Sequence, residues 1–150
     1  MVIYNCVYEK IVEHACRDMP LEACGYLGGR DGAAVEVYHL TNMDKSGEHF
    51  SFDPKEQFDA VLAMRKKQQQ AIAVYHSHPE TPASPSQEDI RLAFDPGMIY
   101  VIVSLAALRP DVRAFRIVKK EVSEEPLVVI DRPDNELENR EMRWNGKNSL

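Results

Sequence analysis

Residues 71–89 read AIAVYHSHPETPASPSQED, and the fold is decided in this stretch. Ala71 to His78 has the composition of a strand. Side chains two apart on a strand point to the same side, so Ile72, Val74, His76 and His78 share a face and two imidazoles can aim at one point. Pro79, Pro82 and Pro85 then force an irregular loop. Ser86-Gln87-Glu88-Asp89 opens a short helix, and Ser86 and Asp89 have the spacing of a capping box. Ile90, Leu92 and Phe94 are its expected apolar positions, and Pro96-Gly97 breaks it. A helix starting near the C-terminal end of the histidine strand can bring Asp89 back to the point at which His76 and His78 aim.

Working outward, Asp53, Pro54 and Glu56 mark another helix start as N-cap, first helical position and third. Phe58, Val61 and Leu62 are its expected buried stripe. Thr41 to Phe52, before it, is polar and loop-like. Earlier still, Val7, Ile11 and Ala15 recur every four residues, with Tyr4, Tyr8 and Val12 on the adjoining stripe. This predicts a first helix, ended by Pro20, with Val2 and Ile3 as a short strand before it. Ala23 to Leu27 is an apolar strand closed by Gly28-Gly29. Arg30-Asp31-Gly32 reads as a hairpin turn, and Val35, Val37 and His39 alternate along the returning strand. Downstream, Met98 to Leu105 suits a strand covered on both faces, and Val112 to Val118 and Pro126 to Ile130 read as two more. The pattern predicts a layered α-β-α domain of the α/β class around a central mixed sheet, spanning residues 1–130. Residues 131–150 read as a polar tail or a short docking helix carrying Leu137, Met142 and Trp144. There Trp144 would dock on the core or make a homodimer contact.

The chain has 150 residues, 44% hydrophobic and 28% charged, enough to bury a core without a disulfide or a structural metal. Its net charge of -6 disfavours a broad grip on nucleic acid or on an anionic membrane. No apolar run approaches the roughly 18 to 20 residues of a membrane span. The opening MVIYNCVYEKIVEHA lacks the pattern of a secretory signal. Cys6, Cys16 and Cys24 contain no CxxC pair and read as thiols of a reducing cytoplasm.

His76 and His78 suit a metal, since zinc takes neutral imidazole at about 2.0 to 2.1 Å. The bland alternative is one core histidine and one exposed. Asp89 as a third ligand would leave one position open, which is the catalytic rather than the structural arrangement. Ser86 could be no more than the cap that fixes Asp89. A hydrolytic site also needs a base for the attacking water, and Glu22, Glu80 and Glu88 are candidates that spacing alone does not separate. His78-Pro79-Glu80 matches the H-x-E of zinc deaminases, but these need a downstream P-C-x-x-C, and no cysteine follows Cys24. Cys24 itself reads as a small buried hydrophobe in preference to a fourth ligand. His49-Phe50 could line a substrate groove.

With its seven-residue spacer, His76-Ser77-His78…Ser86-x-x-Asp89 resembles the signature of the JAMM (MPN-plus) metalloproteases. Glu22-Ala23-Cys24-Gly25-Tyr26-Leu27-Gly28-Gly29 resembles the glutamate-bearing segment that precedes it in that family. The resemblance implies the JAMM/MPN fold, which is cytidine-deaminase-like. It implies Zn²⁺ on His76, His78 and Asp89, Glu22 as general acid/base, and Ser86 as donor to the oxyanion, a contact worth about 3 to 4 kcal/mol. It further implies cleavage of a peptide or isopeptide bond after the C-terminal Gly-Gly of a ubiquitin-like protein. In small stand-alone prokaryotic members of the Mec type, that protein is a ubiquitin-fold sulfur carrier, which loses an amino acid or a short extension. The loops 41–52 and 79–85 are expected to flank the channel for the carrier's tail. The alternative is a catalytically inactive MPN-type scaffold module, whose members usually lack motif residues.

Overall fold

The computed structural model describes residues 1–133. The expected helix around Leu137, Met142 and Trp144 lies outside the described residues. The elements run β1 (Val2–Tyr4), α1 (Asn5–Asp18), β2 (Cys24–Arg30), β3 (Ala33–Leu40), α2 (Pro54–Lys66), β4 (Gln70–His78), α3 (Gln87–Leu92), β5 (Ile99–Ser104), β6 (Asp111–Val118), β7 (Glu121–Glu125) and β8 (Val128–Ile130). The strands form one sheet in the order β7-β6-β5-β4-β2-β3-β1-β8. It is mixed, as expected. β4 runs parallel to β5, and β1 parallel to β3 and β8, while β2 is antiparallel to both β3 and β4.

Strand alternation divides the core between the two faces. Ile3, Leu27, Tyr75, Val101 and Val103 pack with Val7, Ile11 and Ala15 of α1. Tyr26 and Leu40 pack on the opposite face with Ala60 and Met64 of α2. Two expectations about buried faces fail. In α2 the inward stripe is Ala60 and Met64, whereas Phe58 is 62% exposed and Leu62 is also exposed. Ala60 lets the helix approach the sheet, and Gln57 Nε2 donates to the Tyr26 hydroxyl at 2.7 Å on that side. α3 buries no residue and ends at Leu92, short of Pro96-Gly97, so that Phe94 lies beyond the helix and is 82% exposed. That helix is held by its cap and not by an apolar face.

The Asp31-Gly32 turn lies where expected, with φ of 50° and 80°. Both values are left-handed, as a tight hairpin requires. The strand β2 continues through Gly28-Gly29 to Arg30 rather than closing there. β7 went unpredicted. It is reached through Lys119 and Lys120, which adopt left-handed φ of 50° and 65° without glycine or asparagine. Its sequence EVSEE is acidic and largely exposed, as suits an edge strand. Among the described residues no helix is long and apolar enough to cross a membrane.

Gly25 has a specific steric reason. A Cβ there would lie 2.2 Å from the Tyr38 carbonyl oxygen and 2.7 Å from the Tyr75 ring. Its backbone therefore allows Tyr75, on the neighbouring strand, to lie across β2.

Candidate functional site

β4 and α3 build the centre of the site. His76 and His78, both buried, lie on one face at the C-terminal end of β4. The α3 capping box is complete: Ser86 Oγ accepts from the Asp89 N–H at 3.0 Å, and Asp89 Oδ2 accepts from the Ser86 N–H at 2.8 Å. That same Oδ2 lies 3.2 Å from His76 Nε2 and 3.3 Å from His78 Nε2, and the two Nε2 atoms are 3.1 Å apart. Donor atoms placed tetrahedrally about 2.0 Å from an ion are about 3.3 Å from one another. The triangle has that size.

Its chemistry also suits a cation. His78 Nδ1 donates to the Pro82 carbonyl at 2.9 Å, which leaves the Nε2 lone pair for the centre. Phe50 stacks on the His76 ring with centroids 4.8 Å apart and fixes its plane. His76, His78 and Asp89 thus form a group able to hold a metal. Burial opposes charge on both His78 and Asp89. Even so, the bonds to Asp89 and Pro82 raise the His78 pKa, and the bonds from His76, His78 and the Ser86 N–H hold the Asp89 carboxyl well below its ordinary range.

Burial and position separate the three glutamates. Glu80 is exposed, and Glu88 is half-buried and bonded to His49. Glu22 is only 4% exposed, just before β2, within the electrostatic reach of His78 and Asp89. Burial, reinforced by Asp89, pushes its pKa up to about 8 from an ordinary 4.5, although His78 acts in the opposite direction. Between those values the folded, metal-free protein keeps a proton that the unfolded chain has released, so its stability falls as pH rises through this window. A tenfold change in proton affinity is worth about 1.4 kcal/mol. Glu22→Gln should therefore match wild type near pH 4.5 and exceed it by a few kcal/mol at pH 8. Thermal melts of chelator-treated protein across that range would test this, and parallel pH profiles for the two would refute it.

Asn42 was missed by sequence reasoning, because a single asparagine in a polar loop reads as an ordinary turn residue. Its amide donates to the carbonyls of Glu22 at 3.1 Å, Ser46 at 3.3 Å and His49 at 2.8 Å. The Glu22 N–H in turn donates to the Ser46 carbonyl at 2.8 Å. Loop 41–52 is thereby tied to the Glu22 backbone, and its other end reaches α3 through His49 and Glu88. Ser77, between the two histidines, fixes the next residue. It pairs with Ala23 through its backbone N–H at 2.9 Å and its hydroxyl at 2.7 Å. Cys24 is buried with its thiol pushed up to about 12 by burial and nearby carboxylates, and it remains outside the cluster.

Residues 5–118 match the family described as prokaryotic homologs of the JAB domain. The CysO-cysteine peptidase of Mycobacterium tuberculosis is 37% identical over 134 residues, spanning 87% of this chain and 92% of that protein. The solution structure of a protein from Desulfitobacterium hafniense is 45% identical, with a TM-score of 0.82 over 90% of this chain and 97% of that one. A JAB1/MPN domain protein from Archaeoglobus fulgidus, 21% identical, shares the fold at a TM-score of 0.61 over 87% of this chain and 100% of that one. The chain belongs to this prokaryotic JAB family and is a JAMM-type peptidase.

Proposed function

We propose that the protein is a zinc-dependent peptidase that hydrolyses the peptide or isopeptide bond after the C-terminal Gly-Gly of a ubiquitin-fold sulfur-carrier protein. The reading is carried by the convergence of His76, His78 and Asp89 on one point, with Glu22 buried within electrostatic reach. The name of the Mycobacterium tuberculosis relative supports a carrier bearing a single amino acid. All five motif residues are present, which speaks against the scaffold alternative.

His76, His78 and Asp89 would hold the zinc. When bound, it polarises the scissile carbonyl and lets water give up a proton near neutral pH. Glu22 takes that proton and delivers it to the departing amine, and its raised affinity for protons suits both steps. Ser86 Oγ already accepts from the Asp89 N–H, so its own hydrogen is free to donate to the developing oxyanion. Phe50 and the Pro82 segment flank the histidines, one stacked on His76 and the other bonded to His78. A tail passing between them favours glycines, whose backbone can approach closely.

A carrier ending in Gly-Gly plus one residue should lose that residue on incubation with the protein, read by intact mass. Deleting Gly-Gly from the carrier should abolish the loss. Undiminished turnover of the deleted carrier would overturn the reading.

A further inference from the structure

A second polar cluster lies on the α1 face, behind Glu22. Buried His14, 4% exposed, places Nε2 3.0 Å from Asp18 Oδ2 and Nδ1 2.7 Å from the Tyr75 hydroxyl. The Tyr75 oxygen lies 3.2 Å from His39 Nδ1. Donor and acceptor rules order these protons. A carboxylate only accepts, so His14 Nε2 carries a hydrogen, and neutral His14 accepts the Tyr75 hydrogen at Nδ1. The phenol oxygen then accepts from His39 Nδ1–H. Every hydrogen bond in the chain points toward Asp18, and His39 Nε2 is left as a lone pair. His39 is the exposed end of this relay.

Beside the relay lies a cavity of about 400 Å³. Its walls carry Asp18, Glu22 and His39, then Lys45, with Leu21 and Leu40 as apolar surface. Among the described residues Lys45 makes no ion pair. The cavity therefore offers acceptors at one side, a free cation, and a small apolar patch. That combination complements a zwitterion. It also shares a wall with Glu22, the residue that gives a proton to the departing amine in the function proposed above.

We propose that this cavity is the leaving-group pocket, and that it binds a small α-amino acid. The ammonium faces Asp18, Glu22 and the His39 lone pair, and the α-carboxylate faces Lys45. The inference rests on the proposed peptidase reading and adds a selectivity to it. The favoured substrate carries one residue beyond Gly-Gly with a free carboxylate. An amidated residue, or a lysine side chain within a folded protein, lacks the anion that Lys45 recognises.

Two experiments separate this proposal from the reading beneath it. In the first, L-serine is titrated into metal-free protein and followed by NMR. Saturable shifts at Asp18, His39 and Lys45 in the millimolar range, lost in Lys45→Gln, are expected. Their absence overturns the pocket whatever the enzyme does. In the second, carriers ending in Gly-Gly-Ala and in Gly-Gly-Ala-amide compete for the metal-loaded enzyme. Wild type should prefer the free carboxylate by about tenfold in kcat/KM, and Lys45→Gln should bring the ratio near one. Equal ratios in the two proteins overturn the pocket. Saturable serine binding in a protein that cleaves neither carrier supports the amino-acid site and overturns the Gly-Gly carrier reading instead.

Discussion

Glu22→Gln is expected to bind as much metal as wild type and to turn over carrier about a thousandfold more slowly, within the range for a lost general acid–base group. The two effects separate because Glu22 stands outside the His76, His78, Asp89 group. Glutamine keeps the side chain's size, and the hydrogen bonds that fix residue 22 run through its backbone, from Asn42 and to Ser46. What is lost is the ability to take a proton and return it. Metal analysis and single-turnover kinetics on the same preparation would measure both. Turnover within tenfold of wild type would shift the role to Glu80 or Glu88. Those residues start from a weaker position, since Glu80 is exposed and Glu88, half-buried, is already bonded to His49.

The second large effect is on metal content. Wild type should purify with about one zinc per chain, and His76→Ala and Asp89→Asn should each lose nearly all of it together with all turnover. Asparagine at 89 keeps the backbone N–H that bonds Ser86 Oγ, so the helix cap is only partly disturbed. Both variants, and chelated wild type, should stay folded. The apolar clusters beneath α1 and α2 contain neither histidine of the site. Unfolding on chelation would mark a structural metal instead, and zinc retained in both variants would place the ion elsewhere.

The centre of this site was legible because it depends on short-range rules. Period two on a strand put His76 and His78 together, and the Ser86–Asp89 cap fixed where a carboxylate turns back. Glu22 could not be selected from spacing, because its distinction is burial, and that is set by residues far away in the chain such as Asn42 and Ser46. The inward face of α2 was misread for a related reason. Phe58 and Leu62 carry more apolar area than Ala60, but the sheet accepts the smaller side chain at close approach. β7 was invisible because Lys119-Lys120 makes a left-handed turn without any residue that announces one.

The six residues of α3 bury nothing, yet they carry Asp89. Whatever order that short helix lacks in the metal-free protein must be supplied when an ion binds, and the free energy spent on it is subtracted from the ion's affinity. The affinity for an ion at this candidate site is thus coupled to helix propensity. Substitutions at the outward positions of α3, which touch no ligand atom, can tune how tightly the ion is held. The dissociation constant becomes a property of a surface helix as much as of the three side chains at the centre.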